Sequence, residues 1–408
     1  MSRKELGIYV HIPFCVRKCA YCDFLSFPAG DETRSSYFTA LRKEIASFDR
    51  AEEYEAVSIY FGGGTPSLPS SGEITKTLEE IRRTFFVSAD AEITIECNPG
   101  TMDRERLADY HAAGIDRLSI GLQSADNRLL ETLGRIHTWE TFEREFHEAR
   151  SAGFDNISID LMYGLPGQSL SSWEDTVNKV TALRPEHLSA YSLIIEEGTP
   201  FWERYNEDAE IKKRGEQPLF LPDEETEDRM LLMLEDSLQN IDMYRYEISN
   251  YARPGRESRH NTGYWLRREY AGFGLGASSQ IGKTRYRNTA ILSDYTGIIQ
   301  KDNFIPEEAE GQHKKNNLNE DGLREFREEA TILTREDEIS ETIILGLRMT
   351  RGVDLDRFEE TFSVRAEDLF SEEIQEFRQE GLLELTDHHL RLTDRGLDVS
   401  NLVMSSFV

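Results

Sequence analysis

From residue 6 to about residue 195, short apolar runs alternate with longer amphipathic stretches. The runs at 7–12, 56–61, 91–97, 117–122, 156–162 and 186–194 read as strands. Between them, 36–47, 73–83, 104–113, 140–151 and 171–183 repeat their apolar residues at a helical rather than an alternating period. Six strands separated by helices predict an α/β fold with a parallel sheet, open or curled into a partial (β/α)6 barrel.

Parity within the strands adds a cavity. In 91–97, Ile93, Ile95 and Cys97 share one face, while Thr94, Glu96 and then Asn98 share the other. In the next strand Leu118, Ile120 and Leu122 oppose Ser119, Gly121 and Gln123; in the fifth, Ile157, Ile159 and Leu161 oppose Ser158 and Asp160, with Met162 an apolar exception. A parallel strand covered on both faces reads as continuously apolar, so three strands with one polar face each place that face on a cavity. The polar residues fall toward the C-terminal strand ends, where barrels gather their chemistry. An antiparallel sheet with one solvated face would need hairpin turns where this sequence has helices.

Beyond the sixth strand, 196–250 reads as further helix and loop, with the acidic run 223–228 opening a helix at 229–238. An irregular, aromatic-rich segment starts at 244–248 and includes 258–265, followed by the glycine-rich 270–279. Residues 300–328 are polar and charged without periodicity and read as a flexible surface connection, longer than a simple linker requires. From Thr331 a new unit begins, with helices near 338–347, 354–361 and 369–380, short strands at 383–385 and 389–392, and a last helix from Thr393. That is the order of a winged helix. The expected division is a core barrel with flanking helices over 1–250, an aromatic and glycine-rich extension over 251–299, the polar connection over 300–330, and a winged-helix-like domain over 331–408.

Charge narrows the partners. With 47 basic against 76 acidic residues the formal charge is −29, which disfavours phosphate backbones and anionic lipid, so no nucleic-acid partner is expected and the winged helix is expected to contact protein. No apolar run reaches membrane-spanning length and the N-terminus lacks the pattern of a signal peptide, so a cytoplasmic protein is expected.

Four cysteines in 408 residues are too few for a disulfide scaffold, and three of them fall within eight residues, as Cys15-Val-Arg-Lys-Cys19-Ala-Tyr-Cys22. Cys97, on the apolar face of its strand, reads as core. A zinc site would want a fourth ligand, and no second cysteine pair or nearby histidine pair supplies one. Three thiolates suit a [4Fe–4S] cubane whose fourth iron stays open, and Arg17 and Lys18 favour thiolate character. An open iron can chelate the amino and carboxylate groups of a methionine. Glycines at 62–64 then let backbone approach the amine; Glu96, Gln123 and Asp160 lie on the polar wall, and Arg135 can grip a carboxylate with two donors. Alone, the glycine run reads equally as a turn and Arg135 as a surface charge.

Taken together, Tyr9-Val-His-Ile-Pro-Phe-Cys15, Cys19, Cys22-Asp-Phe24, Gly62-Gly-Gly-Thr-Pro66, Ile95-Glu-Cys-Asn-Pro99, Ser119-Ile-Gly-Leu-Gln123, Arg135 and Asp160-Leu-Met-Tyr-Gly-Leu-Pro166 resemble the radical S-adenosylmethionine (SAM) family of oxygen-independent coproporphyrinogen III oxidase (HemN) and the related heme chaperones (HemW). The resemblance implies a [4Fe–4S] cluster on Cys15, Cys19 and Cys22, and SAM contacted by Tyr9, the backbone of Tyr21, Gly63, Gly64, Thr65, Glu96, Gln123, Arg135, Asp160 and Ala190. Two features favour the chaperone branch: Phe24 stands where the oxidase pattern has a fourth cysteine, and Cys15 follows almost directly from the start of the chain. A third is His260-Asn-Thr-Gly-Tyr264-Trp265, which matches that branch's His-Asn-x-x-Tyr-Trp motif.

On this resemblance His260, Tyr264 and Trp265 bind heme, with an imidazole for the iron and flat apolar faces for the porphyrin. Without it, His260 reads as a hydrogen-bonded loop residue; His11, His388 and His389 compete for the iron. The implied function is a chaperone that carries heme to acceptor apoproteins, its cluster assisting transfer or homodimer formation, with no catalytic residue assigned. The alternative is an enzyme, a coproporphyrinogen III dehydrogenase that decarboxylates propionate side chains by radical chemistry.

Overall fold

The computed structural model describes residues 3–300, 327–386 and 388–408. Strands β1 (Lys4–Ile12), β2 (Tyr54–Gly63), β3 (Phe86–Cys97), β4 (Arg117–Gln123), β5 (Ile157–Tyr163) and β6 (His187–Ser192) pair in parallel and in chain order. Helices α1 (Asp31–Ala46), α2 (Ser71–Thr84), α3 (Arg104–Ala112), α4 (Asn127–Leu133), α5 (Trp139–Ser151) and α6 (Leu170–Ala182) cross between them. One core runs through this unit: Ile8, Val10, Ile59, Ile95, Ile120 and Ile159 from successive strands meet Leu41, Leu78, Leu107, Phe146 and Val177 from the helices. That apolar set has the parity expected from the sequence.

The sheet continues past the six expected strands. β7 (Tyr244–Glu247) and β8 (Asn250–Ala252) add antiparallel to the β6 edge; they follow α7 (Pro200–Lys213) and α8 (Glu224–Gln239). At the other edge β9 (Tyr270–Phe273) runs parallel to β1, and β10 (Ser278–Ile281), β11 (Thr284–Asn288) and β12 (Arg327–Ile332) follow antiparallel, making a sheet of twelve strands among the described residues that runs from β12 to β7. An open, curled α/β sheet is thus the frame.

Three local readings are corrected. The segment 258–265 is not irregular: Ser258 accepts from the Asn261 N–H as the N-cap of helix α9 (Arg259–Trp265). The segment 244–248 enters strand β7. The acidic run does not precede the helix but is its first turn: Asp223 caps α8 by accepting from Thr226 N–H at 2.9 Å, and Glu224, Glu225 and Glu227 lie where the helix dipole favours negative charge. Of the stretch read as a polar connection, 301–326 lie outside the described residues, while Arg327–Ile332 forms β12.

The C-terminal unit has its own core around Ile343, Leu347, Phe358, Leu390, Val403 and Phe407. After helix α10 (Leu292–Gln300) it comprises α11 (Arg335–Leu347), α12 (Leu355–Phe362), α13 (Ala366–Leu369), α14 (Ser371–Gln379), α15 (Asp394–Asp398) and α16 (Ser400–Met404). β13 (Val353–Asp354), β14 (Leu383–Leu385) and β15 (His389–Leu392) make the small sheet, in the order β13-β15-β14. Salt bridges from Arg285 and Arg267 to Glu341, and a backbone bridge from Glu247 to Met349, tie it to the main sheet.

Candidate cluster and cofactor site

The chain leaves β1 into a loop that carries Cys15, Cys19 and Cys22, all partly exposed and unpaired by disulfide. Backbone bonds fix the loop at several points: Cys15 N–H to Phe27 O (3.1 Å), Cys22 N–H to Cys19 O (3.3 Å) and Ala20 N–H to Leu133 O (3.0 Å). The end of β2 is drawn against it, with Gly64 N–H donating to Ile12 O at 2.8 Å and Thr65 N–H to Phe14 O at 2.8 Å. This approach demands glycine. At Gly63, with φ +115°, a Cβ would lie 2.5 Å from the His11 ring, and at Gly64 it would lie 2.9 Å from the Phe14 backbone. The glycine run is thus required by its own chain, whatever a ligand adds.

All three thiols line one cavity of about 360 Å³ with Tyr21, Gly63, Gly64, Thr65, Glu96, Gln123, Arg135 and Asp160. The polar faces of β3, β4 and β5 are its wall, as parity predicted. A bulge between Gly121 and Gln123, with Gln123 at φ 70°, turns that amide to the cavity. Thr65 Oγ1 donates to Cys15 Sγ at 3.5 Å, and the Arg135 guanidinium reaches Cys19 Sγ at 3.9 Å while donating to Asn98 Oδ1 (3.0 Å) and Gly121 O (2.9 Å). Among the described residues no group of three His, Cys, Asp or Glu side chains could hold a single metal ion. A cubane takes each thiolate at a separate iron corner.

Two carboxylates open on this cavity yet are walled in by protein. Burial pushes Glu96 up to about 7, Asp160 adds to the effect, and the donors Tyr60 OH (2.9 Å) and Gly63 N–H (3.0 Å) restrain it. Asp160 is also raised by burial, against the hydroxyl of Ser119 at 3.1 Å and the positive Arg117 and Arg135. Glu96 is therefore held partly protonated near neutrality.

Other expected contacts lie off the cavity. Tyr9 is stacked behind the wall against Tyr60, its hydroxyl 3.0 Å from His11 Nδ1, and Ala190 points into the core between the cavity-lining Ser189 and Tyr191. His260 is only 3% exposed, with Nδ1 3.0 Å from Ser58 Oγ and Nε2 3.1 Å from Tyr264 OH. Burial, with Arg268 and Arg117 nearby, lowers its pKa to about 3, so the ring is neutral. With both nitrogens engaged it has no free lone pair for an iron in this conformation. Trp265 lies instead under Arg348, 4.2 Å from its ring centroid. His11 is similarly engaged, its Nε2 2.9 Å from Leu25 O, whereas His388 is exposed and paired with Asp356 at 2.8 Å.

Sequence reasoning missed Arg117, Ser189, Tyr60 and Asn261, which also line the cavity. Arg117 was within reach, since it shares the parity of Ser119, Gly121 and Gln123. Asn261 was not, because only the docking of α9 against β3 brings it there: both Glu92 oxygens accept from the first N–H groups of that helix, at 3.1 Å.

Comparison with known proteins agrees with this geometry. Residues 9–180 match the Radical SAM superfamily and residues 333–399 the HemN C-terminal domain. The chain is 35% identical over 402 residues to the heme chaperone HemW of Bacillus subtilis, covering 98% of each, and 33% identical over 408 residues to that of Lactococcus lactis, covering 100% of this chain and 98% of the relative. The solved structure of Escherichia coli coproporphyrinogen III oxidase (HemN) superposes with a TM-score of 0.78 at 24% identity, over 99% of this chain and 90% of that one. That likeness establishes the fold. Membership of the radical SAM superfamily implies a [4Fe–4S] cluster and SAM, and among the described residues no helix is long and apolar enough to cross a membrane. Three thiols on the loop after the first strand, a polar-walled cavity in a curled parallel sheet and full-length similarity together mean that this chain belongs to the HemW family of the radical SAM superfamily.

Proposed function

We propose that the chain is a heme chaperone that holds a [4Fe–4S] cluster on Cys15, Cys19 and Cys22, binds SAM in the adjoining cavity, and passes heme to acceptor apoproteins. The observation that carries the reading is the convergence of three thiols, Glu96 and Arg135 on one cavity. When bound, such a cluster offers SAM an open iron. Arg135 would hold the methionyl carboxylate, Glu96 and the Gly63–Thr65 backbone the amine, and Gln123, Asp160 and the Tyr21 backbone the nucleoside, with Tyr9 and Ala190 buttressing the walls.

Heme is supported by the full-length similarity to proteins named heme chaperones and by an apolar rim at the cavity mouth, where Val16, Phe24 and Ile136 are more than half exposed. Phe24 leaves the cysteine set at three, which favours this reading over the oxidase. Coordination by His260, beside Tyr264 and Trp265, would require either Ser58 or Tyr264 to give up one ring nitrogen, at about 1 kcal/mol for that hydrogen bond. The test is anaerobic reconstitution followed by two assays, heme binding and conversion of coproporphyrinogen III to protoporphyrinogen IX. The expected result is iron–sulfur absorbance that Cys19→Ser abolishes, stoichiometric heme binding and no turnover. Turnover of the porphyrinogen, or a single bound zinc in place of the cluster, would overturn the proposal.

A further inference from the structure

Arg117 opens β4 at the foot of the cavity, and it is 2% exposed. Its Nε is buried without a partner; among the described residues none of its other N–H groups donates to a protein acceptor and no carboxylate forms an ion pair with it. A guanidinium carries five donors in a fixed fork, and burying it without acceptors is among the more expensive arrangements a fold can hold. Burial works against its charge, but Glu92, Tyr60, Tyr246 and Asp160 outweigh that and raise its pKa, so it stays a cation.

The neighbouring carboxylates are committed elsewhere. Glu92 accepts from the Arg259 and His260 N–H groups, and Asp160 from Ser119 and Ser158. Of the other guanidiniums lining the cavity, Arg17 donates to Gly134 O and Arg135 is tied to Asn98, Gly121 and Cys19. The Arg117 guanidinium therefore makes no hydrogen bond at all among the described residues, whereas that of Arg135 keeps only its Nε free. Asn261 from α9 lines the same cavity and contributes an amide.

We infer that Arg117, with Asn261, forms a deep carboxylate subsite that takes an aliphatic carboxylate arm of a ligand lodged in the cavity. A planar monoanion matches the fork with two parallel N–H···O bonds. A multiply charged phosphate matches less well, because Glu96 and Asp160 face the same space. The subsite is distinct from the one assigned to the methionyl carboxylate at Arg135. It rests on the functional reading only in that propionate, the arm carried by heme, is such a group.

The probe is sodium propionate, added to the full-length protein without heme, with sodium chloride at matched ionic strength as the control. The wild type is expected to show a saturable rise in melting temperature and saturable line broadening of 13C-propionate. Arg117→Met should lose both responses, and Arg117→Lys should keep the charge but weaken binding by roughly tenfold, since it lacks the fork. Both responses should persist when S-adenosylhomocysteine is present in excess. Absence of any saturable response in the wild type overturns the inference without reference to a variant, and so does displacement of propionate by S-adenosylhomocysteine, which would make this the methionyl site. Because neither heme nor cluster is needed, failure here is separate from failure of the chaperone reading.

Discussion

Replacing Glu96 by glutamine should remove a large part of the pH dependence of stability near neutrality. The carboxyl is shifted from an ordinary 4.5 to about 7 by burial first and by Asp160 next. A group whose folded pKa exceeds its unfolded one contributes stability in full below the unfolded value, and loses it as pH climbs through the folded value. At about 1.4 kcal/mol per pKa unit, that loss amounts to roughly 3 kcal/mol between about pH 4.5 and pH 7.5. Water inside the cavity trims this, so it is an upper value. Glu96→Gln cannot ionise; its single oxygen keeps an acceptor for Gly63 N–H, and its NH2 can donate to the Tyr60 hydroxyl, which rotates to accept. Urea unfolding of the two proteins at half-unit steps from pH 5 to pH 8 is the assay, read as the difference between their stabilities. Most other titrations cancel in that difference; Asp160, relieved of a like-charged neighbour, leaves a smaller residue. The wild type should lose roughly 2–3 kcal/mol relative to the variant across the range. A difference that stays flat to within about 0.5 kcal/mol would refute the claim that the site holds Glu96 partly protonated.

Two other outcomes follow from the packing. His260→Ala removes a ring stacked 5.0 Å from Tyr60 and hydrogen-bonded at both nitrogens, and should cost about 2–4 kcal/mol in chemical denaturation; a cost under about 0.5 kcal/mol would mean that the imidazole is not held in the interior. Gly62→Ala places a methyl 2.9 Å from both the Tyr60 and Tyr9 rings and 3.1 Å from Glu96, so the melting temperature should fall with a loss of about 1–3 kcal/mol, and an unchanged midpoint would contradict the stacking of those rings across β1 and β2.

Much of the frame was legible because it is local. Strand and helix periods, the parity of β3, β4 and β5, and the spacing of Cys15, Cys19 and Cys22 are short-range patterns, and each survives intact in the fold. The α9 segment was misread for the opposite reason. Seven residues are too few for a helical period to stand out, and what stabilises the turn is a serine cap and Glu92, far away in β3.

The chain's own pattern determined a curled α/β sheet with a polar wall and a three-cysteine loop at its rim, since alternation and spacing are written residue by residue. Tertiary structure alone decided the rest: that β9 lies beside β1, that His260 is enclosed rather than offered, and that Arg117 faces the cavity with no acceptor among the described residues. These depend on which groups meet across more than a hundred residues of chain, such as Ser58 with His260 at a separation of 202, and no periodicity records such a meeting.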